Sequence, residues 1–137
     1  MDTKAFYKMT YGLFVLTAKE GDLDNGCIIN TAIQAASEPL RFSISVIQKN
    51  KTCDMIKATG KFNLSALSTE ADFSIFKNFG MQSGRDVNKF EDFTGCERAE
   101  NGIYYITKST NMYLCCKVTD TIDLGSHTMF FAEVEDA

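Results

Sequence analysis

The segment from Tyr11 to Ile47 reads as strand, turn, strand, strand, and it restricts the possible folds more than any other part of the chain. YGLFVLTA (11–18) is a near-continuous apolar run with β-branched and aromatic members, the pattern of a buried strand. EGDLDNG (20–26) is turn chemistry, and Asn25-Gly26 is its strongest hairpin signal. GCIINTAIQAASEP (26–39) then returns as one further strand, ending on Pro39, the only proline. LRFSISVI (40–47) alternates, with Leu40, Phe42, Ile44 and Val46 facing one way and Arg41, Ser43 and Ser45 the other. That is a half-buried strand.

Two short helices interrupt the strands. QKNKTCDMIKATG predicts one with Thr52 as N-cap, Met55 and Ile56 as its apolar face, and Gly60 just past its end. STEADFSIFKNFG predicts another, with a capping box at Thr69 and Asp72, a stripe of Phe73, Ile75 and Phe76, and Gly80 as its close. KFNLSAL (61–67) alternates between them as a strand. Residues 81–95 are polar and glycine-bearing, a loop with one helical turn around 85–89. GIYYI, NMYLCCKVTDTIDLG and SHTMFFAEVED add two or three strands, the last two a hairpin turning near Gly125. Six or seven mostly antiparallel strands around a core rich in Phe (11 residues, against no Trp) predict a small closed β-barrel with helical inserts.

The totals fit one domain over residues 1–137, with 45% hydrophobic and 23% charged residues. A net charge of −4 with scattered Lys and Arg argues against nucleic acid or an anionic membrane as the main partner. No apolar run approaches the roughly 18 residues of a membrane span, and MDTKAFYKMT lacks a signal-peptide pattern. A cytoplasmic location is the expectation. Five cysteines, odd in number, with an adjacent pair and no C-x-x-C, read as buried reduced thiols rather than a disulfide framework. With one histidine in the chain, no zinc ligand set and no other metal site is expected.

Three places combine polar groups with a reason to bind something. Asn30 and Gln34 share a strand face with Ala32, while Thr31 points away. A buried amide without partners costs about 1–3 kcal/mol, so either neighbouring backbone or the polar edge of a flat heterocycle answers them. KNKT (49–52) brings two lysines, the Asn50 amide and the Thr52 hydroxyl to a helix start, where free N–H groups favour an anion such as phosphate. The alternative is that Thr52 merely caps its own helix. LGSHTMFF (124–131) carries His127, the sole histidine, on a face shared with Met129 and Phe131. It is a ligand-orienting or proton-shuttling group, a satisfied rim residue, or half of a Cys–His pair with Cys115 or Cys116.

Taken in order, N-T-A-x-Q (30–34), S-G-R-D-V-N-K-F (83–90) and G-x-H-T-x-F-x-x-E-V (125–134) carry a resemblance that covers nearly the whole chain. The sequence resembles the flavin reductase-like family of FMN-binding split barrels, especially the flavoredoxin-like and rubredoxin-linked flavoproteins of anaerobes. It departs in having Glu38-Pro39 for a double proline, small Ala35 and Ala36 for a large aromatic, and Gly125-Ser126-His127 for G-D-H.

The resemblance implies a six-stranded antiparallel Greek-key split barrel that forms a homodimer with FMN near the interface. It implies that Asn30, Thr31, Ala32, Gln34 and Ser37 meet the isoalloxazine or ribityl chain. It places Asn50, Lys51 and Thr52 at the phosphate, Lys89 as an anchoring lysine, and His127 against the flavin ring as the catalytic candidate. The function implied is an oxidoreductase in which NADH or NADPH reduces FMN, which passes electrons to free flavin, rubredoxin or another acceptor. Chemistry carried by a cofactor accounts for the lack of a visible acid–base dyad. The alternative is a non-enzymatic FMN electron carrier; a flavin-free structural or heme-binding barrel would have only His127 as an axial ligand.

Overall fold

A computed structural model describes residues 1–137. It is mainly β. After a 3-10 turn over Thr3–Lys8, the elements run β1 (Phe14–Glu20), β2 (Leu23–Ile29), β3 (Ala32–Ser37), β4 (Leu40–Ile47), α1 (Lys51–Thr59), β5 (Lys61–Leu67), α2 (Phe73–Gly80), β6 (Cys96–Arg98), β7 (Tyr104–Ile106), β8 (Thr110–Asp123) and β9 (His127–Asp136). β6 and β7 pair only with each other; the other seven strands form one antiparallel sheet in the order β2-β1-β5-β8-β9-β4-β3. No helix is long and apolar enough to cross a membrane.

The expected six-stranded closed barrel is therefore corrected on both counts. The sheet has seven strands, and β2 and β3 are unpaired on their outer sides. These two edges are consecutive in sequence, linked by only Asn30 and Thr31. The predicted single strand over 26–39 is broken there. Thr31 has crossed to β4: its carbonyl accepts from Ser45 N at 3.1 Å, and its hydroxyl donates to Ser45 O at 2.5 Å. A strand cannot pair with two neighbours on one edge, so the chain steps across the split at these polar residues.

Two turn assignments also move. The β1–β2 turn is Gly21-Asp22, flanked by the pair Glu20 and Leu23, with Gly21 at φ 57°, the position a type II′ hairpin gives to glycine. Asn25-Gly26 lies inside β2. A Cβ on Gly26 would come within 3.1 Å of Leu16 O and 3.2 Å of Phe79 Cδ1, so close packing demands this glycine. The N-cap of α1 is Asn50, whose side chain accepts from Thr52 N, rather than Thr52 itself. Asp72 alone caps α2, and its buried face is Ile75 and Phe79; Phe73 is exposed. The loop turn falls at 83–87, where Asp86 N and Val87 N both donate to Ser83 O.

The main core lies inside the curled sheet. Leu16, Ile44, Phe62, Leu64 and Phe130 pack there against Met55 and Ile56 of α1. A smaller cluster of Val15, Ile75, Phe79 and Ile106 seats α2, with Phe90 and Phe93 of the following loop edge-on or tilted against Phe79. Burial of this kind contributes about 25 cal/mol per Å² of apolar surface. All five cysteines are free thiols.

Candidate functional site

The outer face of β4 organises the site. Ile44 and Val46 point into the core, so Ser43, Ser45 and Ile47 point out. On neighbouring β9, Thr128 and Phe130 point in, and His127 and Met129, paired with Ile47 and Ser45, point out. Three hollows follow this face. The first, about 460 Å³, is walled by Ile28, Ile47, Lys49, Asn50, Gln82 and Ser83, among others. The second, about 400 Å³, lies between the end of β4 and the β8–β9 turn, with Gln48, Ser126 and His127. The third, about 460 Å³, holds Asn30, Thr31 and Ala32 beside Ser43, Ser45 and Met129. Each falls in the size range of small-molecule sites.

The start of α1 forms one wall of the first hollow. Asn50 caps the helix. Thr52 is fully buried beneath the hollow, where its hydroxyl accepts from Asn25 Nδ2 at 2.9 Å. Lys51 Nζ donates to Gly84 O at 3.3 Å, and Arg85 returns from the loop to donate to Lys49 O and pair with Asp54 at 2.6 Å. Lys89 is only 4% exposed, and its ammonium donates to Gly26 O at 2.7 Å and Phe79 O at 2.9 Å. Burial holds its pKa below the ordinary lysine value. Burial likewise pushes the neighbouring Cys27 thiol up to about 11, which keeps it protonated and inert.

At the second hollow, Gln48 fixes the hairpin that carries His127. Its backbone N–H donates to Ser126 O at 3.0 Å, and its amide donates to Asp123 at 2.7 Å and to His127 O. Ser126 Oγ lies 2.8 Å from His127 Nδ1 and orients the ring. The Cys–His pair is excluded by register. Cys115 stands opposite Asp136, nine residues beyond His127 on the same strand, a separation of about 30 Å at 3.4 Å per residue.

Asn50 and His127 thus line adjoining hollows that share Ile47 and Lys49, and Asn30, Thr31 and Ala32 continue along the same face. Lys89 also lines the first hollow, with its ammonium turned inward, and buried Thr52 supports that hollow from below. Lys51 instead lines a separate hollow with Gly84 and Arg85. Gln34 and Ser37 line none of the three; both are exposed further along β3, with Gln34 Nε2 donating to Ala36 O. Sequence reasoning missed Gln48, Gln82 and Ser83, and it named Lys49 only as one of the two lysines of KNKT. Lys49 and Ser83 lay inside quoted motifs, but nothing there separated a cavity-facing side chain from a solvated one. Neither of the first two hollows is lined by an aspartate or glutamate. The donor set of ammonium, amides, hydroxyls and imidazole above aliphatic Ile28 and Ile47 suits a flat, anionic cofactor, so these residues fit a flavin nucleotide.

The family model described as "Flavin reductase like domain" matches residues 6–137. The chain belongs to the flavin reductase-like family. This flavin reductase-like chain is 38% identical over 137 residues to the high molecular weight rubredoxin of Moorella thermoacetica, covering all of itself and 59% of that protein. It is 32% identical over 139 residues to the ferric-chelate reductase (NAD(P)H) of Archaeoglobus fulgidus, of which it covers 80%. It spans 59% of the length of the rubredoxin-named relative, less than two thirds. Among solved structures, the NADH:FAD oxidoreductase SgcE6 of Streptomyces globisporus C-1027 superposes with a TM-score of 0.87 at 21% identity, over 97% of this chain and 78% of that one. The flavoredoxin of Methanosarcina acetivorans gives 0.81 at 19% identity, over 92% and 67%. These structural likenesses establish a shared fold.

Proposed function

We propose that this chain is an FMN-binding flavoprotein of the flavin reductase type, an oxidoreductase that takes electrons from NADH or NADPH and passes them to free flavin, rubredoxin or another acceptor. The observation that carries the reading is the single outer face of β4, along which the hollow at the start of α1 adjoins the hollow of His127 across Ile47 and Lys49, with no carboxylate in either. The bound flavin supplies the hydride and electron chemistry. The protein's residues bind and orient it. Asn50, Lys51 and the loop at Ser83 hold the phosphate end, with the dipole of α1 favouring the anion. Thr52 and Lys89 act from beneath by fixing that wall. His127, oriented by Ser126, faces the ring and assists the approach of nicotinamide.

Asn30, Thr31 and Ala32 meet the flavin in a homodimer, together with Gln34 and Ser37 on the edge strand. Their hollow is rimmed by Phe6, Met9, Tyr11 and Ile33, large apolar side chains that are 54–67% exposed. Such a patch on the rim of a cofactor groove suits coverage by a second copy.

The test is the visible spectrum of the purified protein, followed by anaerobic addition of NADH and then NADPH. The reading predicts oxidised-flavin bands, or their appearance with added FMN, and bleaching by at least one nucleotide. Bound flavin that neither nucleotide bleaches makes the chain an electron carrier. A protein that holds no flavin overturns the reading.

A further inference from the structure

The first hollow is lined by two cations, Lys49 and Lys89, with Lys51 and Arg85 on the neighbouring start of α1 and loop, and all of these except Lys49 are committed to the protein. Lys51 is spent on Gly84 O, Lys89 on two buried carbonyls, and Arg85 on Lys49 O and Asp54. The ammonium of Lys49 makes no hydrogen bond and no ion pair. An unpartnered surface lysine is usually just solvated. Lys49 differs because its backbone is fixed while its head is free. Its carbonyl accepts from both Nε and Nη2 of Arg85, at 3.3 and 3.1 Å, and the next residue caps α1. Its side chain lies at the joint of the first and second hollows, which have only Ile47 and Lys49 in common. With no carboxylate lining either hollow, its charge is not neutralised where a ligand would sit.

We propose that Lys49 tunes the cofactor: its ammonium serves the ring edge where negative charge gathers on reduction, rather than the phosphate. This rests on the flavin reading above. A hydride brings two electrons and one proton to oxidised flavin, so the reduced ring gains one negative charge, spread over its N1 and C2-carbonyl edge. A cation beside that edge favours the reduced form. The phosphate end already has the start of α1, Gln82 and Ser83 on the far side of the first hollow. Lys49 alone among the cations also reaches the hollow of His127, where the ring belongs in this reading.

The experiment uses the full chain loaded with FMN, as wild type, Lys49→Met and Lys49→Arg. It measures the two-electron midpoint potential and the affinities for FMN and for riboflavin, which lacks the phosphate. In Lys49→Met the preference for reduced over oxidised flavin should fall about tenfold, a potential about 30 mV more negative. Lys49→Arg should stay close to wild type, and the ratio of FMN to riboflavin affinity should be unchanged in both. A potential that does not move in Lys49→Met overturns the proposal while the flavin reading stands. So does a collapse of the FMN-to-riboflavin ratio at constant potential, which makes Lys49 a phosphate ligand. A wild-type protein that binds neither flavin overturns both.

Discussion

Asn25 and Gly84 occupy one another's side-chain space: a Cβ on Gly84 would fall on the amide of Asn25. Asn25 is 1% exposed and holds Thr52 Oγ1 through its Nδ2, so the glycine of the loop and the floor of the first hollow are set by one amide. Gly84→Ala must push Asn25 off Thr52 or lift the loop. Chemical denaturation should show a loss of about 1–3 kcal/mol, and FMN titration should show weaker binding. Full FMN affinity in Gly84→Ala would mean that the loop does not wall the cofactor site.

Lys89→Met should be costly although it removes no surface charge. It leaves Gly26 O and Phe79 O without their ammonium donor. The expected loss is about 2–3 kcal/mol in urea unfolding. FMN retention should fall along with it, because the loop that carries Ser83 and Gly84 is tied down at Lys89. Tryptic cleavage at Arg85 should quicken in the same variant, reporting the freed loop directly.

Ile33→Asp tests the proposed dimer. Ile33 is 67% exposed on edge strand β3, so the isolated chain should lose no more than about 0.5 kcal/mol. Sedimentation should instead show a shift from dimer to monomer, with bound flavin lost in step. A variant that remains dimeric sinks the assignment of this rim as the interface.

Alkaline pH should destabilise the fold through its thiols. Burial raises Cys27 and Cys115 to about 11 and Cys116 to about 12. A folded pKa above the unfolded one gives stability that is complete below the ordinary thiol value of 9.0 and is lost as pH climbs toward the folded values. Each thiol contributes a slope of up to about 1.4 kcal/mol per pH unit in that window. Lys89 acts in the opposite sense. Its lowered pKa means that the penalty for its buried charge is relieved as pH rises toward 10.5. Three thiols outweigh one lysine, so unfolding free energy should decline above 9.0, and Cys116→Val should flatten the decline.

How much of this was legible depended on whether a residue's reason was local. LRFSISVI announced β4 because its alternation matches the burial of Ile44 and Val46, although Leu40 is exposed and Ser43 is buried, and the family motifs carried through because they span the chain. Gly26 misled because its cause is Phe79, more than fifty residues away, while hairpin rules look only at neighbours. Asn30 and Thr31 gave no sign of the break because polar residues in a strand look the same whether they face a ligand or step between sheet edges. The family motif places Lys89 at the cofactor, and it does line the first hollow. Its two carbonyl partners, on β2 and α2, show a lysine turned inward, which spacing does not reveal. KNKT shows two lysines, but not that Lys51 is spent on Gly84 O while Lys49 stays uncommitted.

The place of β9 sets an order of assembly. β1–β2, β3–β4 and β8–β9 are hairpins that can form from neighbouring residues alone. Yet β9, the last strand of the sheet in chain order, lies between β8 and β4. Until it arrives, the β3–β4 ribbon has no partner in the rest of the sheet, and the wall that bears Ser45, Ile47 and His127 does not exist. Closing such distant pairs is the slow part of building a β fold. The wall of the site is therefore complete only once β9 has docked, so flavin binding would report that this sheet has closed up around its last pairing.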